Sequence, residues 1–353
     1  MKQRLEKLAE WLQCRNLDGI IVAKPENRRF FSGFSGSAGL LLITGNSRYL
    51  ITDFRYVDQA EQQAIQYEIV RHGPSVYETL AQLIRKTGVR RLGFESDFQT
   101  WDSYQKMLEA APDAVWVPVI PDPLRMVKDL QELACIRQAM QIADEAFQTV
   151  LGFLRPGIQE QEVAAELEYQ MRKHGAERAA FDTIVASGIR SALPHGRASE
   201  KIIENGDFIT MDFGAVYLGY HSDMTRTVVV GKASERQRKI YQVVLAAQLA
   251  GVQAVRPGYQ GHEVDAVARC IIEQAGYAGC FGHGLGHGVG LAVHEEPRLS
   301  STGNIVLGEN MVVTVEPGVY IPGWGGVRIE DTVVVTATGV EILTTSAKTL
   351  LEL

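Results

Sequence analysis

Along the first ~120 residues, helical and strand-like hydrophobic patterns alternate. Leu5, Leu8 and Leu12, with Trp11 beside them, recur at helical spacing, and the unbroken apolar run GIIVA (19–23) then predicts a short buried strand. GLLLIT (39–44) and RYLIT (48–52), separated around Gly45-Asn46, predict a hairpin. A helix over 58–66, a strand over 67–70, a helix over 77–86 and the strand RLGFE (91–95) continue the rhythm of an α/β domain. The segment VPVIPDPLRMVKD (117–129) carries Pro118, Pro121 and Pro123 and reads as the junction. A helix with interleaved acidic and basic residues follows over 130–150. The expected division is an amino-terminal α/β domain over 1–120, a linker over 121–128 and a second domain over 129–353.

The second domain contains an internal echo. LRPGIQEQEVAAELEYQMRKHGA (154–176) aligns without gaps to VRPGYQGHEVDAVARCIIEQAGY (255–277). Each reads as a Pro-Gly turn feeding a helix, with an acidic residue near the helix start, where the macrodipole favours it. Strand-rich sequence follows each copy: 207–217 and 224–231 after the first, 310–320 and 328–336 after the second. Two related halves, each a helix followed by antiparallel strands, predict a pseudo-twofold α/β domain whose matching strands meet at its centre.

Charge and composition exclude several classes. The chain has 353 residues, 46% hydrophobic and 22% charged, and a formal net charge of -7. No basic surplus exists to attract phosphate backbones, so nucleic acid is not an expected partner. MKQRLEKLAEWLQCRNLDG (1–19) interleaves charges with its apolar positions, as an amphipathic helix does and a signal peptide does not. No stretch reaches the ~20 apolar residues of a membrane span. Cys14, Cys135, Cys270 and Cys280 are scattered and form no C-x-x-C pair, which fits free thiols in a reducing cytoplasm.

The chemistry lies in carboxylates placed where carboxylates do not belong. Asp212, Asp223, Glu316 and Glu330 all sit in strongly β-forming sequence. An unpaired charge buried there costs several kcal/mol, roughly, and a single Arg328 cannot neutralise four of them. A pair of divalent ions can. FGHGLGHGVGLAVHEEP (281–297) adds His283, His287 and His294 in a glycine-rich stretch that permits close backbone approach. Each feature alone has a structural reading: an ion-paired strand Asp, or a loop that binds nothing. Together, at repeat-related places in one domain, they point to a dinuclear centre. Four carboxylates and one imidazole form a hard donor set suited to Mn²⁺ or Co²⁺, with Fe²⁺ and Zn²⁺ as alternatives, and unlike an all-thiolate structural zinc site.

The ordered set Asp212-x10-Asp223, His283-Gly-x-Gly-His287-Gly-x-Gly-x-x-x-His294-Glu, Glu316-Pro-Gly-x-Tyr320 and Arg328-Ile-Glu330-Asp resembles the pita-bread metallopeptidases, from residue 129 to the carboxyl terminus. That group includes aminopeptidase P, prolidase and methionine aminopeptidase. The resemblance implies an α+β fold: a small creatinase-like amino-terminal domain and a pseudo-twofold domain with a curved antiparallel sheet covered by helices. It also implies that Asp212 holds one ion, His287 with Glu316 the other, and Asp223 with Glu330 both. A hydroxide between the ions would attack the peptide bond, with Glu316 shuttling its proton. His195, in SALPHG, matches a substrate-contacting histidine, and His294 one that stabilises the tetrahedral intermediate. His283, Arg328 and Tyr320 match residues around the substrate proline and behind the metal ligands. His72, His174, His221 and His262 have no such match and read as surface or packing residues.

The extra amino-terminal domain is similar to that of the proline-directed branch, whose substrates are small peptides with proline second and whose members form homodimers. FFSGFSGSAGLLLIT and ITDFRYVDQA resemble aminopeptidase P, whereas HEEPRLS, with Arg298 after the proline, resembles prolidase. A fixed guanidinium suits the free carboxylate of a dipeptide. Dipeptide and longer-peptide preference both stay open. Methionine aminopeptidase-like activity, phosphotriester hydrolysis and a non-catalytic pita-bread scaffold are the alternatives; metal-free creatinase chemistry does not suit a full ligand set. Phe30, Phe31 and Phe34 can form either an apolar edge for a partner or the core of their own domain.

Overall fold

The computed structural model describes residues 1–353, which divide into two compact units, Met1–Arg125 and Met126–Leu353. In the first unit the order is α1 (Lys2–Cys14), β1 (Gly19–Val22), α2 (Pro25–Ser32), β2 (Leu40–Thr44), β3 (Arg48–Thr52), α3 (Val57–Gln63), β4 (Glu68–Arg71), α4 (Val76–Thr87), β5 (Arg91–Glu95), α5 (Trp101–Ala110) and β6 (Val115–Val119). One six-stranded mixed sheet runs β4-β3-β2-β1-β5-β6. Leu5, Leu8 and Leu12 form the buried face of α1, and β1 is buried along its length.

Three elements of this unit, β6, α2 and α5, go beyond the sequence reading. The start of the Pro-rich junction is the edge strand β6, in which Val117 pairs with Gly93; an edge tolerates Pro118 because its missing N–H leaves no ladder bond broken. PENRRFFS forms α2, with Pro25 in the first turn and Gly33 left-handed (φ 80°) at its end. Phe30, Phe31 and Phe34 are all buried, so they belong to the core of this unit and not to an exposed edge. Arg28, also buried, ties the following glycine-serine loop down by donating to the carbonyls of Ala23, Gly36 and Gly39.

Glu95 closes the same corner. Its Oε2 accepts from the backbone of Ala23 and Lys24 at 2.6 and 2.7 Å, and its Oε1 from Asn27 Nδ2 at 2.6 Å. Burial outweighs these bonds and pushes the carboxyl up to about 7. A raised folded-state value means that the contribution is complete below the ordinary value of 4.5 and disappears as pH rises through 7. The stability advantage of wild type over Glu95→Gln should therefore shrink from pH 5 to pH 8, as read by urea unfolding at both pH values.

The second unit contains α6 (Leu130–Leu151), α7 (Glu160–Lys173), β7 (Arg178–Ala179), β8 (Ile184–Ser187), β9 (Phe208–Phe213), β10 (Ala215–Tyr217), β11 (Tyr220–His221), β12 (Met224–Val229), α8 (Glu235–Ala254), α9 (Gly261–Ile272), β13 (Gly286–Gly288), β14 (Glu295–Leu299), β15 (Val312–Val315), β16 (Gly318–Ile321), β17 (Gly325–Arg328), β18 (Asp331–Val335) and β19 (Val340–Ile342). The sequence repeat is structural. α7 and α9 begin with the same capping box, Gln159 with Glu162 and Gln260 with Glu263. Antiparallel strands follow each: β12-β9-β8 after α7, and β14-β13-β15-β18-β19 after α9. The α6–α7 pair packs on β9 and β12 through Phe147, Leu167, Met211 and Val228, and the α8–α9 pair on β15 and β18 through Val244, Val264, Val313 and Val333. The halves meet where Glu330 N donates to Thr225 O (3.1 Å) and Thr332 Oγ1 to Asp223 O (2.8 Å). No helix is long and apolar enough to cross a membrane, and no disulfide joins the cysteines.

Candidate metal centre

The meeting point of the halves is also where the carboxylates converge. In the β9–β12 pair Asp212 stands opposite Thr225, and Asp223 immediately precedes β12. In the β15–β18 pair Val315 stands opposite Asp331, so Glu316 and Glu330 flank the same end of the ladder. One oxygen from each of Asp212, Asp223 and Glu330 falls within 4.8 Å of the others. His287 arrives from β13, with Nε2 3.3 Å from Glu316 Oε1 and 3.5 Å from Asp223 Oδ2. The glycines around it are needed for approach: a Cβ on Gly286 would lie 1.9 Å from Thr314 O, and one on Gly288 2.3 Å from Glu296 O.

Hydrogen bonds aim these groups but do not satisfy them. Arg328 Nη2 donates to Asp212 Oδ2 at 2.7 Å, Thr225 Oγ1 to Glu330 Oε2 at 2.8 Å, and Thr314 Oγ1 to Glu316 Oε1 at 3.2 Å. Asp212 Oδ1 and Glu330 Oε1 are buried with no partner at all. Such orphaned acceptors cost about 1–3 kcal/mol each when neutral and more when charged. Burial, followed by the repulsion of neighbouring carboxylates, drives Asp223 and Glu330 well above the ordinary range, and burial also raises Asp212. Glu316 goes the other way. Burial opposes its ionisation, but the hydrogen bond and charge of His287, with His283 and Arg328, hold it at about 2.

This donor set fits divalent cations. Cations between the oxygens would satisfy both orphans and turn mutual repulsion into shared attraction. His287 is oriented as a ligand would be. Its Nδ1 lies 3.1 Å from Gly288 O, so a neutral ring donating there would turn an Nε2 lone pair toward the carboxylates. An ion bound to Nε2 would take the place of its contact with Glu316. All donors but one are oxygen, which favours hard ions.

The residues around the cluster form a cavity of about 570 Å³, within the range of small-molecule sites. Asp212, Asp223, His287 and Glu316 line its floor, and His195, His283, His294, Arg298 and Arg328 its walls. Glu330 and Tyr320 do not reach this surface. The Tyr320 hydroxyl lies between His283 Nε2 (2.9 Å) and Arg328 Nη1 (2.8 Å), with burial pushing its pKa up to about 12. It is thus a brace between two wall residues, and its expected part in binding substrate is an indirect one. Arg328 spends its other donors on Thr225 Oγ1 and Pro194 O, which links Asp212 to the segment bearing His195. His294 lies against His287 with ring centroids 4.2 Å apart and ring planes tilted by 56°. Desolvation, then the nearby His287 and Arg298, lower its pKa to about 4, so it is neutral at pH 7. Arg298 faces His287 directly across the β13–β14 ladder. His221 is buried and packs through Nδ1 against Gly290 O (3.2 Å), in keeping with a packing role.

Sequence reasoning missed Thr225, which steadies Glu330 and Arg328 at once, and the wall residues Phe181, Asp182, Ile184, Arg197, Val293 and Ser300. A threonine in a strand is ordinary β sequence and carries no signal of its own.

Comparison with known proteins agrees with this geometry. The model of metallopeptidase family M24 matches residues 134–337. The chain belongs to metallopeptidase family M24. Its amino-terminal unit matches the creatinase/prolidase N-terminal domain over residues 4–127. This M24 chain is 42% identical to the Xaa-Pro dipeptidase of Pyrococcus furiosus, covering 99% of this chain and 100% of that one. Among solved structures, Xaa-Pro dipeptidase from Bacillus anthracis superposes with a TM-score of 0.98 at 48% identity, covering 100% and 99% of the two chains. X-Pro aminopeptidase from Thermotoga maritima superposes with a TM-score of 0.92 at 39% identity and 99% coverage of both. The fold and family expected from the motifs are those found, and the protein is a metallopeptidase of the M24 kind, a family that uses divalent metal.

Proposed function

We propose that this M24 protein hydrolyses Xaa-Pro peptide bonds at a centre of two divalent ions, releasing the residue before proline. The observation that carries the reading is the cluster of Asp212, Asp223, His287, Glu316 and Glu330, with two orphaned oxygens, of which all but Glu330 line a cavity of peptide size. Asp212 would hold one ion, His287 and Glu316 the other, and Asp223 and Glu330 both. Bound there, the ions would supply Lewis acidity to the scissile carbonyl and bring the pKa of a water near neutrality. Glu316 is kept ionised, and Thr314 donates to its Oε1. Its Oε2 is left to take the attacking water's proton and return it to the proline nitrogen as the bond breaks.

The walls orient the peptide. Neutral His294 donates to the developing oxyanion, and His195, exposed in the same cavity, contacts the substrate. His294→Ala should lower kcat by about 10²–10³-fold with little change in KM, as steady-state kinetics on Ala-Pro would show. Arg298 lines the cavity, and a guanidinium there could hold the free carboxylate of a dipeptide, which supports a dipeptidase. The relatives' names support the same substrate class: two of the three are Xaa-Pro dipeptidases and the third an X-Pro aminopeptidase.

A turnover panel of Xaa-Pro, Xaa-Pro-Yaa and Met-Ala-Yaa peptides, each with Mn²⁺, Co²⁺ and Zn²⁺, tests the proposal. Xaa-Pro peptides should be cleaved fastest, with Mn²⁺ or Co²⁺. Faster cleavage of Met-Ala-Yaa would replace the proline-directed reading with a methionine aminopeptidase one.

A further inference from the structure

Helix α9 grips the histidine loop from behind. Asp265, buried, and Arg269, one turn later, form a two-bond pair, Nε to Oδ2 at 2.8 Å and Nη2 to Oδ1 at 2.9 Å. Arg269 also donates to Phe281 O at 2.9 Å and His283 O at 2.8 Å, with its guanidinium 4.3 Å over the Phe281 ring. Asp265 Oδ1 accepts from Leu285 N at 3.0 Å, and Leu285 O in turn accepts from Glu316 N at 2.8 Å. One carboxylate–guanidinium pair thus fixes three backbone groups of the loop. Its reach ends on Glu316, through Leu285, and on His287, two residues further along. Neither Asp265 nor Arg269 touches the cavity. The other half uses a comparable device: buried Glu160, at the start of α7, accepts from the backbone and hydroxyls of Ser187 and Ser199 and from Arg190 Nε, holding the segment that bears His195.

We propose that Asp265 and Arg269 are positioning residues that set the spacing of His287 and Glu316, and through it the affinity of the ion those two residues hold. The inference rests on the metal reading above. A general packing role would lower the melting temperature and leave metal affinity unchanged. A positioning role moves metal affinity in protein that is still folded.

The experiment is calorimetric titration of metal-stripped, full-length protein with Mn²⁺ alone, for wild type, Arg269→Met and Asp265→Asn, with circular dichroism melts as the folding control. Wild type that takes up no Mn²⁺ refutes the metal reading itself. Where wild type binds, folded Arg269→Met and Asp265→Asn should bind at least one ion about 10–100-fold more weakly, the range typical of lost ligand supports. Arg269→Lys keeps the ion pair but cannot span two carbonyls, so it decides the matter if Arg269→Met does not fold. Folded variants that bind Mn²⁺ within about twofold of wild type overturn the proposal.

Discussion

Asp223→Asn should abolish peptide hydrolysis while making the metal-stripped protein more stable. The two effects share one cause. Asp223 sits in the acidic cluster with Asp212 and Glu330, and Arg328 is the permanent cation that contacts this cluster. At an effective dielectric near 20, two carboxylates this close repel by roughly 3 kcal/mol, partly relieved when one takes a proton. Asparagine removes one charge, so the apo protein should gain about 1–3 kcal/mol. It also removes a ligand expected to serve both ions. Loss of one partner from a buried charged cluster costs about 3–5 kcal/mol, which corresponds to roughly 10³-fold in kcat/KM. Urea unfolding with chelator present should rank the variant above wild type, and excess Mn²⁺ should reverse the order, because only wild type gains full binding energy. An apo variant less stable than apo wild type would show that the carboxylates are satisfied within the protein, which leaves no work for a metal.

The second large effect concerns substrate length. Arg298 is exposed on the cavity wall, opposite His287 in the ladder, and its backbone N donates to Glu296 Oε2. A guanidinium so placed can hold the terminal carboxylate of Xaa-Pro through paired charge-assisted bonds. Arg298→Ala should lower kcat/KM for Ala-Pro by about 10–100-fold, the equivalent of roughly 1.5–3 kcal/mol for a bond to a charged group. Ala-Pro-Ala carries its carboxylate one residue further out and should lose far less. Equal losses on the two substrates would remove Arg298 from carboxylate recognition.

Much of the site was legible because its residues conflict with their surroundings. Asp212, Asp223, Glu316 and Glu330 stood out as charges in β-forming sequence, and the structure gathers them at the ends of two ladders. The repeat was legible through its Pro-Gly turns and helix starts, which are local chemistry. What escaped was long-range or masked. The register that sets Arg298 across from His287 includes an irregularity between His287 and Gly288, and no local pattern encodes that. Helix α2 was hidden because Phe30 and Phe31 run into a glycine-serine stretch, although Pro25 and Gly33 mark its ends. β6 was hidden by Pro118, which only an edge position excuses. In the sequence Asp265 and Arg269 are merely an i, i+4 pair within a helix, and their backbone partners come from a loop more than a turn beyond it.

Everything proposed for catalysis requires that the acidic floor work only with its ions. The decisive measurement is to strip the purified protein with a chelator, return Mn²⁺ in steps, and follow bound metal and Ala-Pro hydrolysis on the same samples. No turnover is expected without metal, and activity should rise with occupancy to a plateau at up to two ions per chain. Metal-free protein that cleaves Ala-Pro as fast as the loaded form would contradict the metal-dependent mechanism.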